Sequence, residues 1–348
     1  MPSAAYSPPT LAQIARLAGV SVPTVSRVAN KRKNVSPATR LRVEAVMRRT
    51  GYARKPRPRS AAAASLVDVV VPDIGSRWAA EFLRGAEEAA AREELSLVVS
   101  ALCERGTSGR PRGGWLDRVC ARGTAGMLLT SVGLTPSQQL WLSRQGIPSV
   151  LVDPAGEPPP GVPTVRTGHQ AGARAATEHL LRLGHRRIAL LGGHRSAPDE
   201  GRRLAGYQAA LTAAGLAVRP EYVRFAGSGI ERTRRAADDL LSLATPPTAI
   251  CAGTDEMAIG VYWAAARRGL SVPRDVSVVG FGDAVWAGHA LPALTTVRQP
   301  VADMASWGIR ALVTMMSGAP VDARAFVTPV RLVARRSTAC PARAPRTV

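Results

Sequence analysis

Residues that crosslink, anchor or catalyse are sparse in this chain. Its four cysteines, Cys103, Cys120, Cys251 and Cys340, are scattered along 348 residues with no CxxC pair. That spacing offers neither a disulfide framework nor a zinc site, and reads as reduced thiols. No run of roughly 18 apolar residues, the length a membrane helix needs, occurs anywhere. The opening MPSAAYSPPT also lacks the apolar stretch of a signal peptide. The expectation is a cytoplasmic protein with no membrane partner. No GxxxxGK[ST] or GxGxxG follows a strand-like run, no serine sits in GxSxG, and no metal-ligand spacing is present. No cofactor, no metal and no enzyme activity are therefore expected. The most telling scarcity is of negative charge at one end: residues 1–65 hold thirteen Lys/Arg and a single acid, Glu44.

What is present fits a large binding protein. At 348 residues the chain suits two or three domains, and 46% hydrophobic residues can fill a sizeable core. The net charge is +21, of which the first 65 residues contribute +12. A basic head on a milder body is the electrostatic footprint of nucleic-acid binding.

Within that head, Thr10 can cap a first helix with Gln13 in the capping-box position, and Leu11, Ile14, Ala15 and Ala18 follow at helical spacing. Gly19 suits a sharp turn. Ser21 can cap a second short helix whose inner face carries Val25, Val28 and Ala29, with Pro23 tolerable in its first turn. Ser36–Pro37 opens a third helix with Val43, Val46 and Met47 inward. Two helices across a glycine turn, braced by a third, form a helix-turn-helix. Arg27 lies on the outer side of the second helix, where an arginine can donate two hydrogen bonds to guanine O6 and N7, or contact phosphate alone. Thr24, Ser26 and Asn30 suit phosphate contacts.

After Tyr52 comes ARKPRPRSAAAAS, a solvated linker stiffened by Pro56 and Pro58. From Leu66 the pattern changes. LVDVVV, SLVVSA, GMLLTS and PSVLVD form one series of apolar runs, and RRIALLGG, YVRFAG, TAICAG and VSVVGFG a second, with helical stretches between them. Strands alternating with helices predict parallel sheets covered on both faces. Two series predict two doubly wound subdomains, with ligand at the carboxyl ends of the strands. Gly192–Gly193 resembles a phosphate loop only superficially, because no phosphate-binding motif surrounds it.

VSVPTVSRVAN, followed by VSPATRLRVEAVMRRTGY, resembles the DNA-binding segment of lac repressor family (LacI/GalR-type) regulators. ATEHLLRLGHRRIALLGG, GYQAALTAAGL, TDEMAIGVYWAAARRGLSVPRDVSVVGFGD and LPALTTVRQP resemble further family segments in the family's order. The resemblance implies an α/β chain: a helix-turn-helix head over 1–52, a hinge over 53–65, and a periplasmic-binding-protein-like core of two doubly wound parallel-sheet subdomains over 66–348. The first subdomain would take about 66–165 and 299–322, the second about 166–298 and 323–340. It implies a sequence-specific transcription regulator, read here as a repressor. The partners would be double-stranded operator DNA, bound as a homodimer, and a small-molecule effector, a carbohydrate, between the subdomains. The tail STACPARAPRTV lacks the leucine-rich segment of a family tetramer. A solute-binding uptake protein shares such a core but would need a signal peptide and no basic head.

The carried-over DNA contacts are Thr10, Ser21, Val22, Pro23, Thr24, Ser26, Arg27 and Asn30, with Arg57, Arg59 and Ala61 in the hinge. Val22 and Pro23 hold the family's specificity-varying positions, and neither side chain can hydrogen-bond a base. Arg59–Ser60 matches a family pair in a hinge that folds on DNA and enters the minor groove. Ala61 replaces the family leucine that follows, and is too short to wedge between base steps. The carried-over effector contacts are Asp73, Ser76, Trp78, His169, Arg203, Thr254, Asp255 and Asp283. Trp78 suits stacking on a sugar ring or a place in the core. Arg203 suits a two-pronged grip on vicinal hydroxyls or a carboxylate, or else a solvated helix face. Asp255 can cap a helix or accept from ligand. Three positions depart from the family: Thr254 stands for Asn, His169 for Asn or Asp, and Gly282 for the first of two aspartates.

Overall fold

The computed structural model describes residues 11–29, 35–50, 66–102, 115–227, 229–322 and 325–341. The features expected at Thr10, Asn30, Arg57, Arg59 and Ala61, and across the 53–65 hinge generally, lie outside the described residues, as do the side chains of Leu11 and Ala29. The chain divides between Arg59 and Ser60, inside the segment expected as a linker.

Among its described residues the head has three helices: α1 (Leu11–Ala18), α2 (Val22–Ala29) and α3 (Pro37–Thr50). Ile14, Ala15, Ala18, Val25, Val28, Val43 and Val46 are buried together, with Val20, Val35 and Met47 packed against them. At the α1–α2 turn Gly19 has φ +61°, and the Val20 amide donates back to the Ala15 carbonyl at 3.0 Å. That is a glycine helix stop, which frees α2 to set off in a new direction. Ser21 and Ser36 cap the next two helices, their hydroxyls accepting from the amides of Thr24 (3.4 Å) and Thr39 (3.3 Å).

The core is built on two six-stranded sheets. The first has order β11-β5-β4-β3-β1-β2, from β1 (Leu66–Val71), β2 (Ser96–Ala101), β3 (Gly126–Thr130), β4 (Ser149–Val152), β5 (Thr164–Thr167) and β11 (Phe326–Thr328), all parallel. The second has order β12-β10-β9-β8-β6-β7, from β6 (Ile188–Gly192), β7 (Val223–Phe225), β8 (Ala249–Ala252), β9 (Ser277–Gly282), β10 (Thr295–Arg298) and β12 (Arg331–Val333). Its one antiparallel pair is β10 with β12. Strands β3, β4, β6 and β8 are buried along their whole length, because helices cover both faces.

The helices of the first subdomain are α4 (Arg77–Arg92), α5 (Trp115–Arg122) and α6 (Pro136–Arg144). Those of the second are α7 (His169–Arg182), α8 (Pro198–Ala213), α9 (Ile230–Leu241) and α10 (Asp255–Arg267). The next, α11 (Val301–Met316), returns to the first: its Val301, Met304, Ala305, Ile309 and Leu312 pack with Val67, Val69, Phe82, Leu128 and Val150.

The chain thus passes between the sheets three times, after β5, after β10 and between β11 and β12. The first two crossings follow Thr167 and Arg298. The third is a correction: β11 pairs with β5, so residues 326–328 belong to the first sheet and the return to the second comes after Thr328, not at about 322. The short β5, β10, β11 and β12 are not distinguishable as strands by periodicity. They become strands because each finds a neighbour in a sheet already formed.

Candidate functional site

On α2 the burial pattern separates two faces. Val25 and Val28 point into the head, while Val22, Pro23 and Arg27 are exposed and Thr24 and Ser26 are half-buried. Positions 22, 23, 26 and 27 share the outer face because they repeat at helical spacing. Ser21, beyond its capping role, places its hydroxyl 2.9 Å from that of Thr24. An exposed helix with a proline in its first turn and an arginine in its last can enter a major groove while the buried valines hold its angle. Arg27→Ala is expected to cost about 1–3 kcal/mol in binding to the specific site and to relax preference at one base pair of each half-site. Equal loss on random DNA, in a competition gel-shift assay, would make Arg27 a phosphate contact.

In the core, polar side chains gather where the strands end and the chain crosses between subdomains. His169 is the first residue of α7, directly after β5, and is buried. Its Nδ1 lies 2.8 Å from an Arg203 terminal nitrogen, and its ring stacks on Phe281 at the end of β9 (5.5 Å between centroids). Arg203, also buried, donates from its other terminal nitrogen to Glu200 Oε1 at 2.9 Å and from Nε to Glu200 Oε2 at 3.4 Å. The guanidinium sits 5.3 Å from the Phe281 ring centroid. The solvated-helix alternative for Arg203 is therefore excluded.

Glu200 in turn accepts from the Gly193 amide at 2.9 Å, the group a phosphate loop would present to its ligand. The glycine pair makes room for this carboxylate: a Cβ on Gly192 would lie 2.6 Å from Glu200 Oε2. Asp199 and Glu200 stand in the first turn of α8, where the helix dipole favours negative charge.

Around His169 lie two further acids. Asp199 Oδ1 is 3.5 Å and Asp153 Oδ1 3.9 Å from Nε2. Asp153, at the end of β4, accepts from both the amide and the hydroxyl of Thr167 at 2.6 Å, and burial pushes its pKa up to about 6 against those bonds. Burial also raises Asp199. Burial first, then Arg203, Arg202 and Arg166, hold His169 well below the usual imidazole range, so the ring is neutral. Gln299, just past β10, donates to Thr167 Oγ1 at 3.1 Å, and Glu157 of the β4–β5 loop pairs with Arg202 of α8 at 3.3 Å. Both contacts join one subdomain to the other.

The remaining expected residues divide. Thr254 is the N-cap of α10, its hydroxyl accepting from the Met257 amide at 3.1 Å. The capping role left open for Asp255 therefore belongs to Thr254. Asp255 is buried instead beside β10, accepting from the Thr296 hydroxyl and from the Ala284 amide (2.6 Å), and burial raises its pKa. Asp283, at φ +60°, has its carboxylate between Arg298 (2.5 Å) and Arg335 (2.7 Å). On the first subdomain, Asp73 accepts from the Gly75 amide at 2.9 Å in a local turn, and Ser76 caps α4 through the Ala79 amide at 3.1 Å. Trp78 is half-buried and stacks on Phe82 at 5.1 Å, so the core takes at least one of its faces.

Sequence reasoning missed Asp153, Thr167, Asp199, Glu200, Phe281, Gln299, Arg298 and Arg335. For Asp199 and Glu200 a signal exists: Pro198 can open a helix, and both acids lie one turn ahead of Arg203. The others are recognisable only by their partners. Among the described residues no group of three His, Cys, Asp or Glu could hold a metal ion, and no helix is long and apolar enough to cross a membrane. Cys251 is a buried free thiol and Cys340 an exposed one.

A helix-turn-helix with Arg27 on its outer face, together with a core of two doubly wound sheets with polar groups at their crossings, defines a DNA-binding regulator of periplasmic-binding-protein type. Comparison with known proteins agrees. Residues 10–55 match the model described as bacterial regulatory proteins, lacI family, and residues 177–338 that of a periplasmic binding protein-like domain. Catabolite control protein A of Priestia megaterium is 32% identical over 332 residues, 94% of this chain and 99% of that protein. The solved complex of the transcriptional regulator CelR with cellobiose is similar at 30% identity and TM-score 0.70, over 94% of this chain and 99% of that one. The lac repressor dimer bound to operator and the anti-inducer ONPF is similar at 27% identity and TM-score 0.69, over 96% and 100%. The chain belongs to the lacI family of bacterial transcription regulators.

Proposed function

We propose that this regulator is a cytoplasmic repressor that binds a pseudo-palindromic operator as a homodimer and is controlled by a carbohydrate held between its core subdomains. The observation that carries the reading is the polar cluster at the crossings. Buried His169, Arg203, Glu200 and Asp153 stand where two subdomains meet, a costly place for polar groups unless they serve a ligand or a switch. The related CelR is solved with cellobiose, and the related lac repressor as a dimer on operator, which supports both halves of the reading.

In this reading Arg27 contacts bases and Val22 and Pro23 make apolar contacts with them. Thr24, Ser26 and Asn30 contact phosphates, and the capping residues Thr10 and Ser21 also meet the DNA. Arg57 and Arg59 follow the minor groove, where Ala61 is too short to wedge between base steps as a leucine would. The effector meets His169, Asp255, Thr254 and Asp283 from one subdomain, with Arg203 behind His169, and the Asp73–Trp78 loop from the other. It acts by favouring one arrangement of the subdomains, and it can shift the operator equilibrium only by its differential affinity for the two. The chain has no enzymatic role in this account.

The test is genomic footprinting of the full-length protein, followed by release of the recovered operator with a panel of mono- and disaccharides. Specific sites with twofold symmetry, vacated in the presence of one sugar, are expected. Footprints without a repeated sequence would overturn the operator assignment, and activation of the bound promoters would overturn repression.

A further inference from the structure

The atoms around His169 have more to say about the ligand than the family resemblance does. A guanidinium can only donate hydrogen bonds. The Arg203 nitrogen 2.8 Å from His169 Nδ1 must therefore donate to it, so Nδ1 carries no proton. In a neutral ring the single proton then sits on Nε2. Yet Nε2 is buried and makes no hydrogen bond within the protein. Its neighbours Asp199 Oδ1 and Asp153 Oδ1 are 3.5 and 3.9 Å away, and Asp153 already accepts from the Thr167 amide and hydroxyl. A buried donor left unpaired costs about 1–3 kcal/mol, so it marks a place where a partner belongs.

We infer that His169 Nε2–H is the ligand-facing donor of this polar cluster, oriented by Arg203, and that it selects a hydroxyl group which accepts from Nε2–H while donating to Asp199. The inference rests on the regulator reading above and adds the chemistry of one contact. A hydroxyl is the common group that accepts and donates at one oxygen. A carboxylate here would face Asp199 with no proton to give, and an ammonium could not accept from Nε2–H. Arg203 becomes a positioning residue: its nitrogens are committed to Glu200 and His169, and it acts through the imidazole. The Asn or Asp found at this position in many family members would not give the same contact. An Asp is only an acceptor, and an Asn lacks the ring that stacks on Phe281.

The test uses the full-length protein with isotope-labelled histidine. NMR should show His169 with an unprotonated Nδ1 and a protonated Nε2, and Arg203→Lys should mix the two tautomers. Calorimetry with cellobiose, maltose, ribose and glucose should find at least one that binds, and that sugar should move the Nε2–H resonance. His169→Phe, which keeps a ring against Phe281, should weaken it about tenfold or more. The monodeoxy analogue lacking the contacted hydroxyl should bind the unmodified protein correspondingly weakly and lose nothing further in His169→Phe. A proton on Nδ1, unchanged affinity in His169→Phe, additive losses, or no binding by any of the four sugars would overturn the inference. Operator binding is measured in the same samples. A protein released from its operator by a sugar while His169 stays silent keeps the regulator reading and sinks only this one.

Discussion

Glu200→Ala should lower the stability of the core by about 3–5 kcal/mol, the range for removing one partner of a buried ion pair. Glu200 is 3% exposed and Arg203 9%, and the carboxylate accepts from Nε and one terminal nitrogen of that guanidinium as well as from the Gly193 amide. Without it Arg203 keeps its charge, since arginine is not deprotonated in proteins, but retains only the His169 nitrogen as an acceptor. The Gly193 amide loses its acceptor as well. Urea denaturation should show a lower midpoint with an unchanged slope if the native fold is otherwise kept. Glu200→Gln, which retains an acceptor of the same shape, should fall between alanine and the unmodified protein. A loss below about 1 kcal/mol for alanine would mean that water reaches the pair, because exposed ion pairs are worth only that much.

Operator affinity should collapse as salt rises. The first 65 residues carry +12 of the chain's +21, and each phosphate they neutralise adds about −0.9 to the slope of log K against log salt. With roughly six to ten phosphate contacts for the dimer, affinity falls about 10³–10⁵-fold between 50 and 200 mM salt. Filter binding or fluorescence anisotropy over that range measures the slope directly. A slope near zero is incompatible with a charge-driven head. A core fragment beginning at Leu66 should lose operator binding while retaining sugar binding and self-association. Operator binding by that fragment would relocate the DNA site.

The two sites differ in how far they could be anticipated. For the head, nearly every step was open to inspection. Helical spacing of Ile14, Ala15, Ala18, Val25, Val28, Val43 and Val46 set the inner faces and left Arg27 outside, while the family resemblance marked Val22 and Pro23 as DNA-contact positions. Periodicity and capping act over a few residues, so a short helical unit with one small core is specified almost locally. The alternation of apolar runs with helices likewise pointed to two parallel sheets. Fold class and the basic end of the chain thus belong to the sequence alone.

Partnerships in the core belong to the tertiary structure. Arg203 looked like a free two-pronged donor, but the packing of α8 against α7 sets it on His169. Asp255 could cap a helix, accept from ligand or do both, and only β10 brings Thr296 to its carboxylate. Asp283 acquires Arg298 and Arg335 because β9, β10 and β12 are neighbours in one sheet. The third crossing, after Thr328, is fixed by β11 pairing with β5 across a wide separation in sequence. Spacing along the chain carries no record of such pairs. Hydrogen-bond and ion-pair partners are chosen by distance in space and by burial, and those exist only once the sheets have set the strand order.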